Sequence, residues 1–218
     1  MKVLTTSMLA CLLAAIVFAL PNVTQEKVSE DILQRKVPGD EFEFLKTTDA
    51  FYSSLGRTHL PGGMVRIVGC EQDTFMQSWK PLGSSLSQVL NTLVAADPRY
   101  QWKMQDGVVN LLPATGEPLL LKTRLNGFHM ENISSALDPL DQLLALPEVK
   151  TRMRDLHLKP GIAIITSSSP ANPSKFSVKQ NGGTLRQALN AIASAQGRGI
   201  WEYIEIHCEG KNEVIIRF

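Results

Sequence analysis

The chain has 218 residues, with 22 Lys and Arg against 21 Asp and Glu, and is 44% hydrophobic. That charge balance lacks the basic footprint that nucleic acid or an anionic membrane surface demands. The hydrophobic share excludes wholesale disorder.

The N-terminus reads as an export signal. Lys2 precedes an uncharged apolar run from Val3 to Leu20, and Val17-Phe18-Ala19 suits cleavage after Ala19. An uncleaved anchor is the rival, because a run of about 18 residues is the lower edge of what spans a bilayer. Thr5, Thr6 and Ser7 weaken that rival. A lipoprotein at Cys11 is disfavoured, since the apolar run continues past it. The expected location is exported, periplasmic or extracellular, with membrane anchoring if the signal stays on. Removing residues 1–19 takes away Lys2 and no acid, so the remainder is charge-balanced.

Residues 20–40 are polar and close on Pro38-Gly39, which stops any helix over Ser29–Arg35. Residues 41–113 read as a first α+β unit. A helix spans 48–57, with Phe51, Tyr52 and Leu55 on one side. Pro61-Gly62-Gly63 breaks it, and a strand follows over Met64–Val68. A strand is predicted over Phe75–Lys80. Ser84 or Ser85 then caps a helix to Ala96 whose stripe is Leu86, Val89, Leu90, Leu93 and Val94. Asp97-Pro98 ends that helix. Strands over Arg99–Met104 and Val108–Leu112 turn on Asp106-Gly107, a strong hairpin signal.

Residues 114–138 read as a connecting segment, with a strand-like apolar run over Leu119–Leu125. Residues 139–218 read as a second unit. Asp138-Pro139 and Pro147-Glu148 start two helical stretches. Strands are predicted over Ile162–Thr166 and Phe176–Gln180. Thr184 caps a helix with the stripe Leu185, Ala188, Leu189, Ile192 and Ala193, and Gly197 and Gly199 end it. Ile200–His207 and Glu213–Phe218 form a closing hairpin. The expected fold is α+β: two tandem βαββ-type units, each with an extra preceding helix and strand.

A constant offset of 99 residues aligns the two units without a gap. Leu86, Gln88, Leu90, Asn91, Ala96, Arg99 and Trp102 recur as Leu185, Gln187, Leu189, Asn190, Ala195, Arg198 and Trp201. Pro61-Gly62 recurs as Pro160-Gly161. An internal repeat points to a scaffold or binding surface more readily than to a catalytic site.

The stretch Thr184-Leu185-Arg186-Gln187-Ala188-Leu189-Asn190-Ala191-Ile192, set between a strand and a hairpin, resembles the short N-terminal domain of secretins and TonB-dependent receptors. Ser85–Leu93 with the Asp106-Gly107 turn is similar. The resemblance covers less than half of the chain. It implies an interaction module of the cell envelope.

The usual catalytic signatures G-x-S-x-G, P-loop, H-E-x-x-H and C-x-x-C are missing from the sequence, and no cofactor is expected. Cys70 and Cys208 remain after signal removal, an even number that fits a disulfide between the units, against two free thiols. His207 beside Cys208, with His157 and Cys70, is the best metal candidate. It is a poor one, because neighbouring strand residues face opposite ways. Trp102 and Trp201 are candidate binding residues, or else cover their own helix ends in the core. Arg99 and Arg198 join them as candidates, with exposed strand-entry positions as the plainer reading. Asn91 and Asn190 sit inside helices and are expected to face solvent. Asp40, Glu41 and Glu43 read as a solvated acidic face.

The expected function is a non-enzymatic, exported protein-interaction module with an envelope protein as partner. The alternative is a small-ligand binder with its site between the units, near Trp102 and Trp201.

Overall fold

The computed structural model describes residues 31–38, 46–70, 84–135, 137–161 and 175–218. The expected signal segment, the acidic run Asp40, Glu41 and Glu43, and the strands expected over Phe75–Lys80 and Ile162–Thr166 lie outside the described residues.

The described elements are, in order, α1 (Thr47–Thr58), β1 (Gly62–Val68), α2 (Leu86–Ala96), β2 (Tyr100–Gln105), β3 (Val108–Pro113), β4 (Arg124–Leu125), β5 (Phe128–Ile133), α3 (Leu137–Ala145), α4 (Pro147–Asp155), β6 (Lys159–Pro160), β7 (Phe176–Gln180), β8 (Gly183–Thr184), α5 (Leu185–Gln196), β9 (Ile200–Cys208) and β10 (Lys211–Arg217). The fold is α+β with a mixed sheet. No described helix is long and apolar enough to cross a membrane.

The two repeated helices start for the same local reason. Ser85 accepts the Gln88 N–H, while the Gln88 side chain accepts the Ser85 N–H at 2.8 Å. Thr184 and Gln187 do the same at the head of α5, at 2.9 Å. Each capping box satisfies two backbone donors that the first helical turn leaves unpaired. Gly197, at φ 84°, closes α5 in the left-handed region, which glycine enters without a Cβ penalty. Asp106 and Gly107, at φ 55° and 74°, make the β2–β3 turn.

A six-stranded sheet runs in the order β2-β3-β1-β9-β10-β6. The hairpins β2–β3 and β9–β10 are antiparallel, and β1 is parallel to both β3 and β9. Strand β6 is parallel to β10. Reading along the sheet, each half therefore presents its hairpin and then its leading strand. The direction inverts between the halves, since β3 and β10 both flank the β1–β9 pair but run opposite ways.

The helices follow that inversion. Met64, Val109 and Leu111 face α1 and α2 through Phe51, Leu55, Leu86, Leu90 and Leu93. Val65, Leu112, Trp201, Tyr203, Val214 and Ile216 face the other way, onto α3, α4 and α5. Strand residues alternate between faces, so one sheet serves two cores.

The connecting segment is core rather than linker: Leu120, Leu121, Leu125, Phe128 and Ile133 are all buried against α5. The strand expected over Leu119–Leu125 is confined to Arg124–Leu125. The run is apolar because it is enclosed, not because it is extended. Its carbonyls serve the head of α5: Leu185 N–H donates to Thr123 and Arg186 N–H to Leu121. Strand β5, with no counterpart in the sequence reading, pairs with β7 through an irregular register between Met130 and Ile133.

Candidate functional site

Cys70 and Cys208 form a disulfide, with Cα atoms 4.6 Å apart. It joins the ends of β1 and β9, the strand pair through which the halves meet. The Glu209 N–H donates to the Cys70 sulfur at 3.1 Å. A disulfide is compatible with an exported protein in an oxidising compartment. It also takes both sulfurs away from any metal site with His207. Among the described residues no group of three or more His, Cys, Asp or Glu is placed to hold a metal.

The two tryptophans do not share a crevice. Trp102 pairs with Leu111, Leu111 with Met64, and Met64 with Glu202, so these four side chains lie on one face. Trp201 precedes Glu202 on β9 and therefore projects from the opposite face. Trp201 is fully enclosed in the core. The pleat separates the two indoles, and a ligand site lined by both is not built.

Each tryptophan is instead held by the asparagine eleven residues before it. Trp102 Nε1 donates to Asn91 Oδ1 at 2.9 Å, and Trp201 Nε1 donates to Asn190 Oδ1 at 2.9 Å. Asn91 is exposed, as expected. Asn190 is fully buried, which corrects the expectation that it faces solvent. An indole N–H taken into the core requires an acceptor, and helical asparagine supplies it.

The arginines diverge as well. Arg99 Nε bonds Asp97 Oδ1 at 2.7 Å. Burial alone would raise the Asp97 pKa, but hydrogen bonds from Arg99 and Thr47 and the Arg99 charge together hold it below the usual carboxylate range. Arg198 is exposed, and the position equivalent to Asp97 is Gln196, so the ion pair has no counterpart there.

Two polar clusters escaped the sequence reading. Glu202 is 1% exposed and is bracketed by Arg66, at 3.3 Å, and by Arg217. The three residues tie β1, β9 and β10 together on the α1 side of the sheet. Tyr52 of α1 approaches the same carboxylate. Its pKa is raised by burial first and by Glu202 second. On the opposite face Tyr203, Glu205 and His207 form a row along β9. The Tyr203 hydroxyl bonds Glu205, raising the tyrosine pKa together with burial, which is the larger cause. His207 Nε2 lies 2.7 Å from Glu205 Oε1, and its Nδ1 lies 3.2 Å from Asn212 Oδ1.

Clefts open on the surface formed by the described residues. One, of about 530 Å³, lies between the 119–124 turn and α4, with Leu119 at its rim. The other, of about 670 Å³, runs between β7 with its following turn and the outer flank of α5. Asp106, at the tip of the first hairpin, closes one end. That tip is fixed to α5, because Arg186 bonds Gln105 Oε1 and Asn190 Nδ2 donates to the Gln105 carbonyl at 3.4 Å. Arg186 also pairs with Glu117. The second cleft draws on both halves of the chain.

The chain matches no protein-family model, no curated protein and no solved structure.

Proposed function

We propose that this protein is an exported, non-enzymatic interaction module of the cell envelope that binds a partner protein through strand pairing. The observation that carries the reading is the joint between its own halves. β1 and β9 meet edge to edge in register from Gly62↔Ile200 to Val68↔Ile206, and the disulfide clamps the end of that pair. Units of this kind associate with each other by offering strand edges, and strand addition by a partner is the same physical event. The export-signal pattern at residues 2–20 and the resemblance of both helix–hairpin stretches to short secretin and TonB-receptor domains support the envelope as its place of action.

The test is chemical crosslinking of the full-length protein in the cells that make it. Affinity capture from the envelope fraction and mass spectrometry follow. Reproducible recovery of one or a few envelope proteins supports the proposal. Recovery of the bait alone, at crosslinker levels that join known envelope complexes, contradicts it. So does an envelope substrate turned over by the purified protein and spared after a single substitution.

A further inference from the structure

We infer that the cleft between the 119–124 turn and α4 receives an acidic segment of the partner protein, its carboxylates seated among Lys122, Arg124 and Arg152 and an aliphatic side chain against Leu119. The inference rests on the interaction-module reading above and adds a second contact to the strand pairing proposed there. Charge, an apolar rim and fixed walls carry it.

The cleft, of about 530 Å³, takes Lys122 and Arg124 from the turn and Arg152 from α4. Glu148 and Asp155 share the α4 wall. Glu148 is already engaged, since its Oε1 accepts the Asn126 N–H at 3.2 Å. Among the described residues none of the three cations is in an ion pair, whereas Arg66, Arg99, Arg186 and Arg217 all are. The whole chain carries 22 basic and 21 acidic residues, so this local excess comes from placement and not from composition. A guanidinium grips a carboxylate through two parallel N–H···O bonds, and here one arginine stands on each wall. The interleaved acids also decide the class of occupant. An anionic bilayer or a nucleic acid asks for a face of one sign, while a peptide can match a mixed pattern and is held in register by it.

The rim is apolar. Leu119 is 52% exposed, although Leu120 and Leu121 beside it are fully buried. Pro147, also exposed, lines the α4 wall. A lone exposed leucine means little. Set at the edge of a cationic cleft, it gives the aliphatic part of an acidic segment a surface to cover.

Both walls are fixed before anything binds. Leu120, Leu121 and Leu125 anchor the turn in the core, and Val149 and Met153 anchor α4. The Asn126–Glu148 bond ties one wall to the other. The cations therefore project from a settled backbone, which lowers the ordering cost of binding.

The test places a photo-activated benzophenone amino acid at Thr151, exposed on the α4 wall, in the full-length protein in the cells that make it. Lys103 on β2 and Lys211 on β10 carry the same probe in separate samples and report contact elsewhere. Expected at Thr151 is a protein adduct that maps to one partner segment of net negative charge with an aliphatic residue. Lys122→Glu with Arg124→Glu, both at exposed positions, should cut that adduct roughly tenfold or more, because like charges then meet. The unfolding midpoint should stay unchanged, and Lys122→Gln with Arg124→Gln replaces the pair if it does not. Changing the mapped acids to Lys should restore the adduct of the Glu variant. Lys103→Glu with Lys211→Glu, the same change of charge placed elsewhere, should leave the adduct in place. A lipid adduct at Thr151, or a neutral or basic partner segment, overturns the acidic-peptide assignment. An adduct undiminished in the folded variant, or a loss without rescue, overturns the charge pairing. Adducts at Lys103 or Lys211 with none at Thr151 overturn the cleft assignment and leave the module reading standing. Adducts nowhere overturn both.

Discussion

The two asparagine–tryptophan bonds offer a comparison, since the chemistry and the 2.9 Å distance are shared while burial differs and Asn190 also donates to the Gln105 carbonyl at 3.4 Å. Replacing Asn190 by Ala leaves the Trp201 N–H enclosed in the core without an acceptor. An orphaned buried donor costs about 1–3 kcal/mol, and the vacated amide adds to it. Alanine returns about 0.5 kcal/mol through its higher helix propensity. The net expectation is a loss of about 2 kcal/mol, or roughly 4–8 °C in the unfolding midpoint at this chain length. Asn91→Ala should fall within about 0.5 kcal/mol of wild type, because water reaches the half-buried Trp102 and takes over its N–H. The assay is urea unfolding of the oxidised protein followed by far-ultraviolet circular dichroism, with the slope checked for constancy. A double-mutant cycle with Trp201→Phe should return about 1 kcal/mol of coupling at the 190–201 pair. Equal losses for Asn190→Ala and Asn91→Ala would refute the reasoning, since burial would then not be what sets the value of the bond.

Three further outcomes follow from the same geometry. Gly63 lies opposite Trp201 across the β1–β9 pair, and a Cβ there would come within 2.2 Å of the indole, so Gly63→Ala should lose about 1–3 kcal/mol by overpacking, read in the same unfolding assay. Reducing the Cys70–Cys208 bridge, which spans a sequence separation of 138, should destabilise the protein by up to about 5 kcal/mol on the chain-entropy account, seen as a fall in the denaturant midpoint. Asp97 has a folded-state pKa below its unfolded one, so its contribution is present above the unfolded value of about 3.9 and is lost as pH falls through the lower folded value. Asp97→Asn should therefore flatten the acid limb of the stability curve below about pH 5, and an unchanged limb would show that Arg99 and Thr47 do not stabilise the carboxylate.

Local signals in the sequence carried the elements whose causes are local. Ser85 and Thr184 cap their helices through side chains three residues on, and Asp106-Gly107 turns a hairpin through its own φ angles, so a short window suffices. The even pair of cysteines also pointed to the bridge that the fold contains. What escaped depends on contacts far apart in the chain. Leu119–Leu125 carries the composition of a strand, and only the donors at the head of α5 reveal why it is enclosed without being extended. The Glu202 cluster joins Arg66 to Glu202 across 136 positions, and no spacing announces it.

The candidate site was legible in its parts and not in its arrangement. Trp102 and Trp201 stood out by their offset, but their separation onto opposite faces follows from the β1–β9 register, which sequence does not supply. A signal for their true partners was present: an asparagine eleven residues before each tryptophan, inside a helix that does not favour it. The β7 cleft had no such signal, since its far wall is Ala191, Ser194 and Ala195, and small residues on a helix flank look like ordinary surface.

The most direct test of partner binding by strand addition is hydrogen exchange of the full-length protein, read by mass spectrometry with and without the crosslink-recovered partner. Amides of β1 and β9 should be among the slowest in both states, and a run of amides along one strand edge should gain protection only when the partner is added. Partner binding that leaves the exchange of every strand edge unchanged, with protection confined to helices or loops or appearing nowhere, would contradict it.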